Sequence, residues 1–70
     1  MNELYAGLAE IFEVEVQELG PESLLADHGW DSLAIVSTIA LFDELYGKEV
    51  DIQSLTSCET VGDLQKLAGN

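Results

Sequence analysis

The chain has 70 residues, 47% of them hydrophobic, enough for one small core and too apolar for a chain that stays disordered because it is acidic. Fourteen acidic residues stand against Lys48 and Lys66, a formal charge of −12. That balance excludes direct binding to nucleic acid or to an anionic membrane surface, both of which need clustered cations.

The first residues, Met1-Asn2-Glu3-Leu4, lack the basic start of a secretory signal, so a cytoplasmic setting is expected. From about Glu3 to Phe12, Leu4, Leu8, Ile11 and Phe12 fall at helical spacing, with Asn2 as the expected N-cap. Gly7 weakens that helix without breaking the pattern. The periodicity then fades between Glu13 and Gly29, where Val14, Val16, Leu19, Leu24 and Leu25 are scattered anchors. A connection of that length inside one small domain points to a structured, functional loop. Its only proline, Pro21, marks a turn, and a short turn of helix is expected near Pro21–Leu25.

A second helix opens at Asp31 and runs to about Tyr46, closed by Gly47. Ile35, Ile39, Phe42, Leu45 and Tyr46 form the side expected to face the core. Leu33, Val36 and Ala40 make a narrower row beside Ser37, Asp43 and Glu44, which reads as a half-exposed surface. Between Asp51 and Cys58 only a short helical piece is expected. A last helix starts at Thr60, whose side chain and Asp63 are placed as a capping-box pair, and Gly69 ends it. Val61, Leu64, Leu67 and Ala68 give that helix its apolar face. The expected fold is all-α: one domain over 1–70, a small bundle of three main helices and one short one, with a long structured loop between the first two.

Chemistry concentrates at Gly29-Trp30-Asp31-Ser32-Leu33. With Asp31 as N-cap, its carboxylate accepts from the free N–H of Leu33 or Ala34, and Ser32 falls at the first helical position. The Ser32 hydroxyl is then not needed as the cap and is accessible to modification. A phosphate ester there sits at the positive end of the helix, beside unpaired N–H groups. Capping preference alone also explains an Asp-Ser pair. Trp30 either staples against Ile35 or lines the approach to a cargo site.

The other reactive side chains read as structural. Cys58 is the only cysteine and His28 the only histidine, which excludes a disulfide framework, a Cys-based zinc site and a multi-His metal centre. Cys58 has no basic neighbour and reads as a buried, inert small hydrophobe. His28 lies four residues before Ser32 with no visible third partner, and a hydrolase built on Ser32 lacks its base and orienter. Glu10, Glu13, Glu15 and Glu18 read as a solvated acidic face and not as a cation site. No metal is expected. A chain this short leaves chemistry to partner proteins.

Taken together, an apolar first helix, a long anchored loop, Asp31-Ser32-Leu33 opening a long helix and Thr60-Val61-Gly62-Asp63-Leu64 opening the last one resemble the acyl carrier protein family, over Leu4 to Leu67. The resemblance implies a non-enzymatic carrier whose Ser32 bears 4′-phosphopantetheine, attached by a phosphopantetheinyl transferase, with acyl groups held as thioesters on the arm. It implies that Asp31 helps position the metal ion and coenzyme A during that transfer. It further implies that Leu33, Val36, Ser37, Ala40, Asp43 and Glu44 meet acyl-loading and acyl-processing enzymes such as synthases, and that the carrier works as a monomer. Fatty-acid members of the family usually carry an acidic residue at Ser37, a larger apolar one at Ala40 and a small one at Trp30. Fatty-acid, polyketide and other specialised acyl pathways therefore all stay open. The competing reading is an acidic helical interaction module without a prosthetic group.

Overall fold

The computed structural model describes residues 3–69. The expected cap Asn2 lies outside them. Helix α1 (Glu3–Phe12) buries Leu4, Leu8 and Ala9, with Ile11 and Phe12 packed at the edge of the core. Its Gly7 faces α2 (Ser32–Tyr46): a Cβ there would stand 2.5 Å from Leu41 Cδ1, so glycine is what lets the two helices approach. α1 ends without glycine. Glu13 takes the left-handed conformation (φ 58°), and the bonds Val14 N–H to Ala9 O (3.0 Å) and Glu13 N–H to Glu10 O (3.3 Å) close a Schellman turn. A non-glycine residue there costs about 1–2 kcal/mol.

The long connection is ordered by two 3₁₀ turns, Val16–Glu18 and Leu25–His28. The helical turn expected near Pro21–Leu25 is displaced from that position. Pro21 and Glu22 form a simple turn, and the helical segment starts only at Leu25, because residues 21–25 are committed to backbone bonds elsewhere. Leu25 N–H donates to Glu59 O (2.9 Å), Val61 N–H to Ser23 O (3.0 Å) and Gly62 N–H to Pro21 O (2.9 Å). Those bonds stitch the loop to the front of α4 (Val61–Leu67).

α2 buries Ala34, Ile35, Thr38 and Phe42 and stops at Gly47 (φ 60°). Tyr46, expected on the core face, is instead 38% exposed, its ring edge-on to Phe42 at 5.7 Å. Thr38, polar by pattern, is fully buried, since its hydroxyl donates to Ala34 O at 2.8 Å and leaves no orphaned polar group. The short α3 (Ile52–Thr56) is capped by Asp51, which accepts from Ser54 N–H at 2.8 Å, and it contributes Leu55 to the core. α4 carries the expected capping box: Thr60 Oγ1 accepts from Asp63 N–H, and Asp63 Oδ2 accepts from Thr60 N–H, both at 3.2 Å. Lys48 Nζ donates to Leu67 O at 2.7 Å and covers the far end of α4. The result is the expected all-α bundle around Leu4, Leu8, Leu25, Phe42, Leu55, Val61 and Leu64, all fully buried.

Candidate functional site

The second 3₁₀ turn ends at Gly29 in the left-handed conformation (φ 76°), and Asp31 N–H bonds Gly29 O at 2.8 Å, which turns the chain into α2. Asp31 is extended and its Oδ1 accepts from Ala34 N–H at 2.9 Å, an N-cap with an N3 partner. Ser32 is the first helical residue and is exposed. Among the described residues its hydroxyl has no hydrogen-bond partner, and the first-turn N–H groups of Ser32 and Leu33 find no acceptor either. A free hydroxyl thus lies beside two donors at a helix start, with a carboxylate on the preceding residue. That arrangement suits a phosphate ester on Ser32, because the uncommitted N–H groups and the helix dipole both favour negative charge.

Trp30 holds this turn from two sides. Its ring meets Phe12 edge-on at 6.1 Å, and its Nε1–H donates to Leu55 O at 3.1 Å. The sequence left Trp30 either stapled against Ile35 or lining the approach to a cargo site. The link to α3 carries no local signal, since 25 residues separate donor and acceptor. His28 stacks on Phe12 at 5.0 Å. Phe12, His28, Asp31, Leu33 and Ser37 line a groove of about 390 Å³ on the α1 side of the site.

Along α2, Leu33 is 75% and Val36 54% exposed, Ala40, Asp43 and Glu44 are exposed, and Ser37 is half-buried. Leu33 and Val36 thus leave apolar surface in water on the same helix as the acidic side chains of Asp43 and Glu44. Val36, Ile39, Ala40 and Asp43 also form one wall of a second groove, about 460 Å³, completed by Lys48, Glu49 and Val50.

Cys58 is buried and its Sγ donates to Ser54 O at 3.4 Å; burial, and then the negative charge of Asp63, push its thiol pKa up, the opposite of an activated nucleophile. Asp63 is held below the usual carboxylate range by the backbone N–H groups of Glu59 and Thr60, and Asp51 by its bonds to Ser54. Glu10, Glu13, Glu15 and Glu18 are all exposed. Among the described residues no group of three or more His, Cys, Asp or Glu is gathered to hold a metal ion, and no helix is long and apolar enough to cross a membrane.

Among the described residues the bundle is all-helical, and the exposed Ser32 opens its longest helix. The family described as the phosphopantetheine attachment site matches residues 2–67. The chain is 38% identical over 64 residues to the acyl carrier protein MbtL of Mycolicibacterium paratuberculosis, covering 90% of this chain and 72% of that protein. It is 37% identical over 68 residues to the meromycolate extension acyl carrier protein of Mycolicibacterium aurum, covering 90% and 70%. A 60-residue stretch is 35% identical to the orsellinic acid synthase of Beauveria bassiana, covering 86% of this chain but only 3% of that much larger protein. The chain belongs to the phosphopantetheine-binding acyl carrier family: it is a carrier and not a catalyst, and the group its family carries is 4′-phosphopantetheine.

Proposed function

We propose that Ser32 is the attachment residue, that residues 1–70 work as one monomeric carrier domain in the cytoplasm, and that the arm delivers acyl thioesters to loading and processing enzymes. One observation carries this reading: of the helix-start hydroxyls, that of Ser32 is exposed and uncommitted, whereas that of Thr60 is spent on its own cap. In the transfer, Ser32 Oγ attacks the pantetheine-bound phosphorus of coenzyme A, the pyrophosphate P–O bond breaks and adenosine 3′,5′-bisphosphate leaves; Oγ becomes the ester oxygen of a phosphodiester and its proton goes to water. Asp31 keeps its Oδ1 on Ala34 N–H, which leaves Oδ2 to help place the metal ion and coenzyme A brought by a phosphopantetheinyl transferase. The bound group supplies the thiol that carries cargo, and this chain's part is to present it. The acidic surface disfavours self-association by mutual repulsion, and a buried free thiol fits a reducing compartment.

Leu33, Val36, Ser37 and Ala40, flanked by Asp43 and Glu44, form the proposed recognition face. Weak contacts steered by charge suit a carrier that must visit and leave several enzymes. Relatives named for meromycolate extension and for orsellinic acid synthesis favour an extended or specialised acyl pathway, and the half-buried Ser37 and small Ala40 fit that choice. Intact mass after incubation with a phosphopantetheinyl transferase and coenzyme A tests the attachment. One added phosphopantetheinyl group on the native chain and none on Ser32→Ala, with the helical signal unchanged, is the expected result. No added mass on the native chain leaves the acidic interaction module as the reading.

A further inference from the structure

We infer that Trp30 decides how much of a tethered acyl chain the bundle covers, by latching α3 to the turn that carries Ser32; the inference rests on the reading of Ser32 as the attachment residue. The bond from Trp30 Nε1–H to Leu55 O (3.1 Å) is, among the described residues, the one hydrogen bond between α3 and a residue distant in sequence. α3 has five residues, too few to persist by their own backbone bonds, and its Asp51 cap is internal to it. Buried Leu55, packing against α2 and the indole bond tie it down. The indole is in turn backed by Phe12, so α1, the start of α2 and α3 meet on one side chain.

An acyl chain hung near Ser32 gains by every methylene it takes out of water. Two apolar grooves border α3 or its lead-in. One lies against Val36, Ile39, Ala40 and Val50, about 460 Å³, and the other against Leu24, Trp30 and Cys58, about 490 Å³. Each is a surface groove at the small end of ligand sites. Beneath them Leu55, Leu25 and Phe42 are fully buried and close the core. Turning either groove into a slot that surrounds a long chain requires α3 to swing away from its neighbours, and the Trp30 bond opposes that swing. The native protein therefore shelters a short acyl group and leaves a long one in solvent.

The test compares native protein with Trp30→Phe, which keeps an aromatic ring and loses the N–H; Trp30→Tyr serves as a second indole-free variant should the first fail to fold. In the unmodified proteins, amide exchange in α3 is expected to be about fivefold faster in the variant, the ratio set by losing a net hydrogen bond of about 1 kcal/mol. In the acylated proteins, the melting temperature of the octanoyl form minus that of the acetyl form is expected to be near zero for the native chain. It turns positive for the variant, because a covered chain binds only the folded state. A merely structural Trp30 would lower both acyl forms equally. Unchanged α3 exchange, or an octanoyl gain as large in the native protein as in the variant, overturns the latch. Failure of Ser32 to take the arm, seen by intact mass, overturns the attachment reading instead, and the exchange rates still decide the latch.

Discussion

Asp31 carries two roles that substitution can separate. Its carboxylate caps α2 through the 2.9 Å bond from Ala34 N–H, and its charge stands one residue from the hydroxyl to be modified. Asp31→Ala removes both; an N-cap lost to alanine costs about 0.5–2 kcal/mol. For a domain of this size that corresponds to a melting temperature lower by roughly 4–8 °C per kcal/mol. Asp31→Asn keeps an acceptor oxygen of equal capping strength and removes only the charge. The lost interaction with the helix dipole, about 0.3–1 kcal/mol, is opposed by relief of repulsion in a chain of charge −12. Stability is therefore expected to stay near native, while loading by the transferase falls to a level close to that of the alanine variant. Thermal melts followed by far-ultraviolet circular dichroism, alongside loading rates by intact mass, read the two effects separately. An asparagine variant as unstable as the alanine one would refute the cap. An asparagine variant that loads at the native rate would refute the role of the charge.

Asp43→Lys with Glu44→Lys is expected to slow transferase loading on the order of tenfold at low salt, mainly in the association rate, and less as salt screens exposed charges beyond about 10 Å. The same reversal at Glu3 and Glu10, exposed on α1, should matter far less; equal damage would mean that total charge and not the α2 face is recognised. Gly62→Ala places a Cβ 2.9 Å from the Pro21 carbonyl, so the loop must shift, at about 1–3 kcal/mol less any gain in helix propensity; an unchanged melting temperature would contradict that packing. Asp63 has a depressed folded pKa, so its contribution is present above the usual aspartate value of 3.8 and is lost as pH falls through the folded value. Asp63→Asn should accordingly be less stable than the native chain at neutral pH and converge with it under acid, whereas a gap that persists at low pH would point to packing.

The three longer helices, the caps of α2 and α4 and the exposed row on α2 were legible because each is local. Asp31, Thr60 with Asp63, and Gly47 act within a turn of their own residues, and Leu33 and Val36 fall off the core stripe by spacing alone. Part of what was not legible depends on contacts distant in sequence. Pro21 and Leu25 bond to Gly62 and Glu59, which moves the helical turn out of Pro21–Leu25. Trp30 reaches Leu55. Thr38 reads as polar until its hydroxyl is seen bonded within its own helix, and Tyr46 counts as core until the bundle ends before it. Glu13 occupies a position where glycine would have announced the helix end.

The stitch between residues 21–25 and 59–62 also bears on when the protein becomes competent during its synthesis. Its three backbone bonds close loops of 34–41 residues, so they form late and together, after the local helices. A nascent chain still lacking Val61 and Gly62 has Phe12 and Leu55 for Trp30 to meet, yet lacks two of the three bonds that fasten residues 21–25. The ordered approach to the serine is thus completed only once residues 59–62 are in place, so a partner that reads that approach meets a folded domain and not a partly wound one.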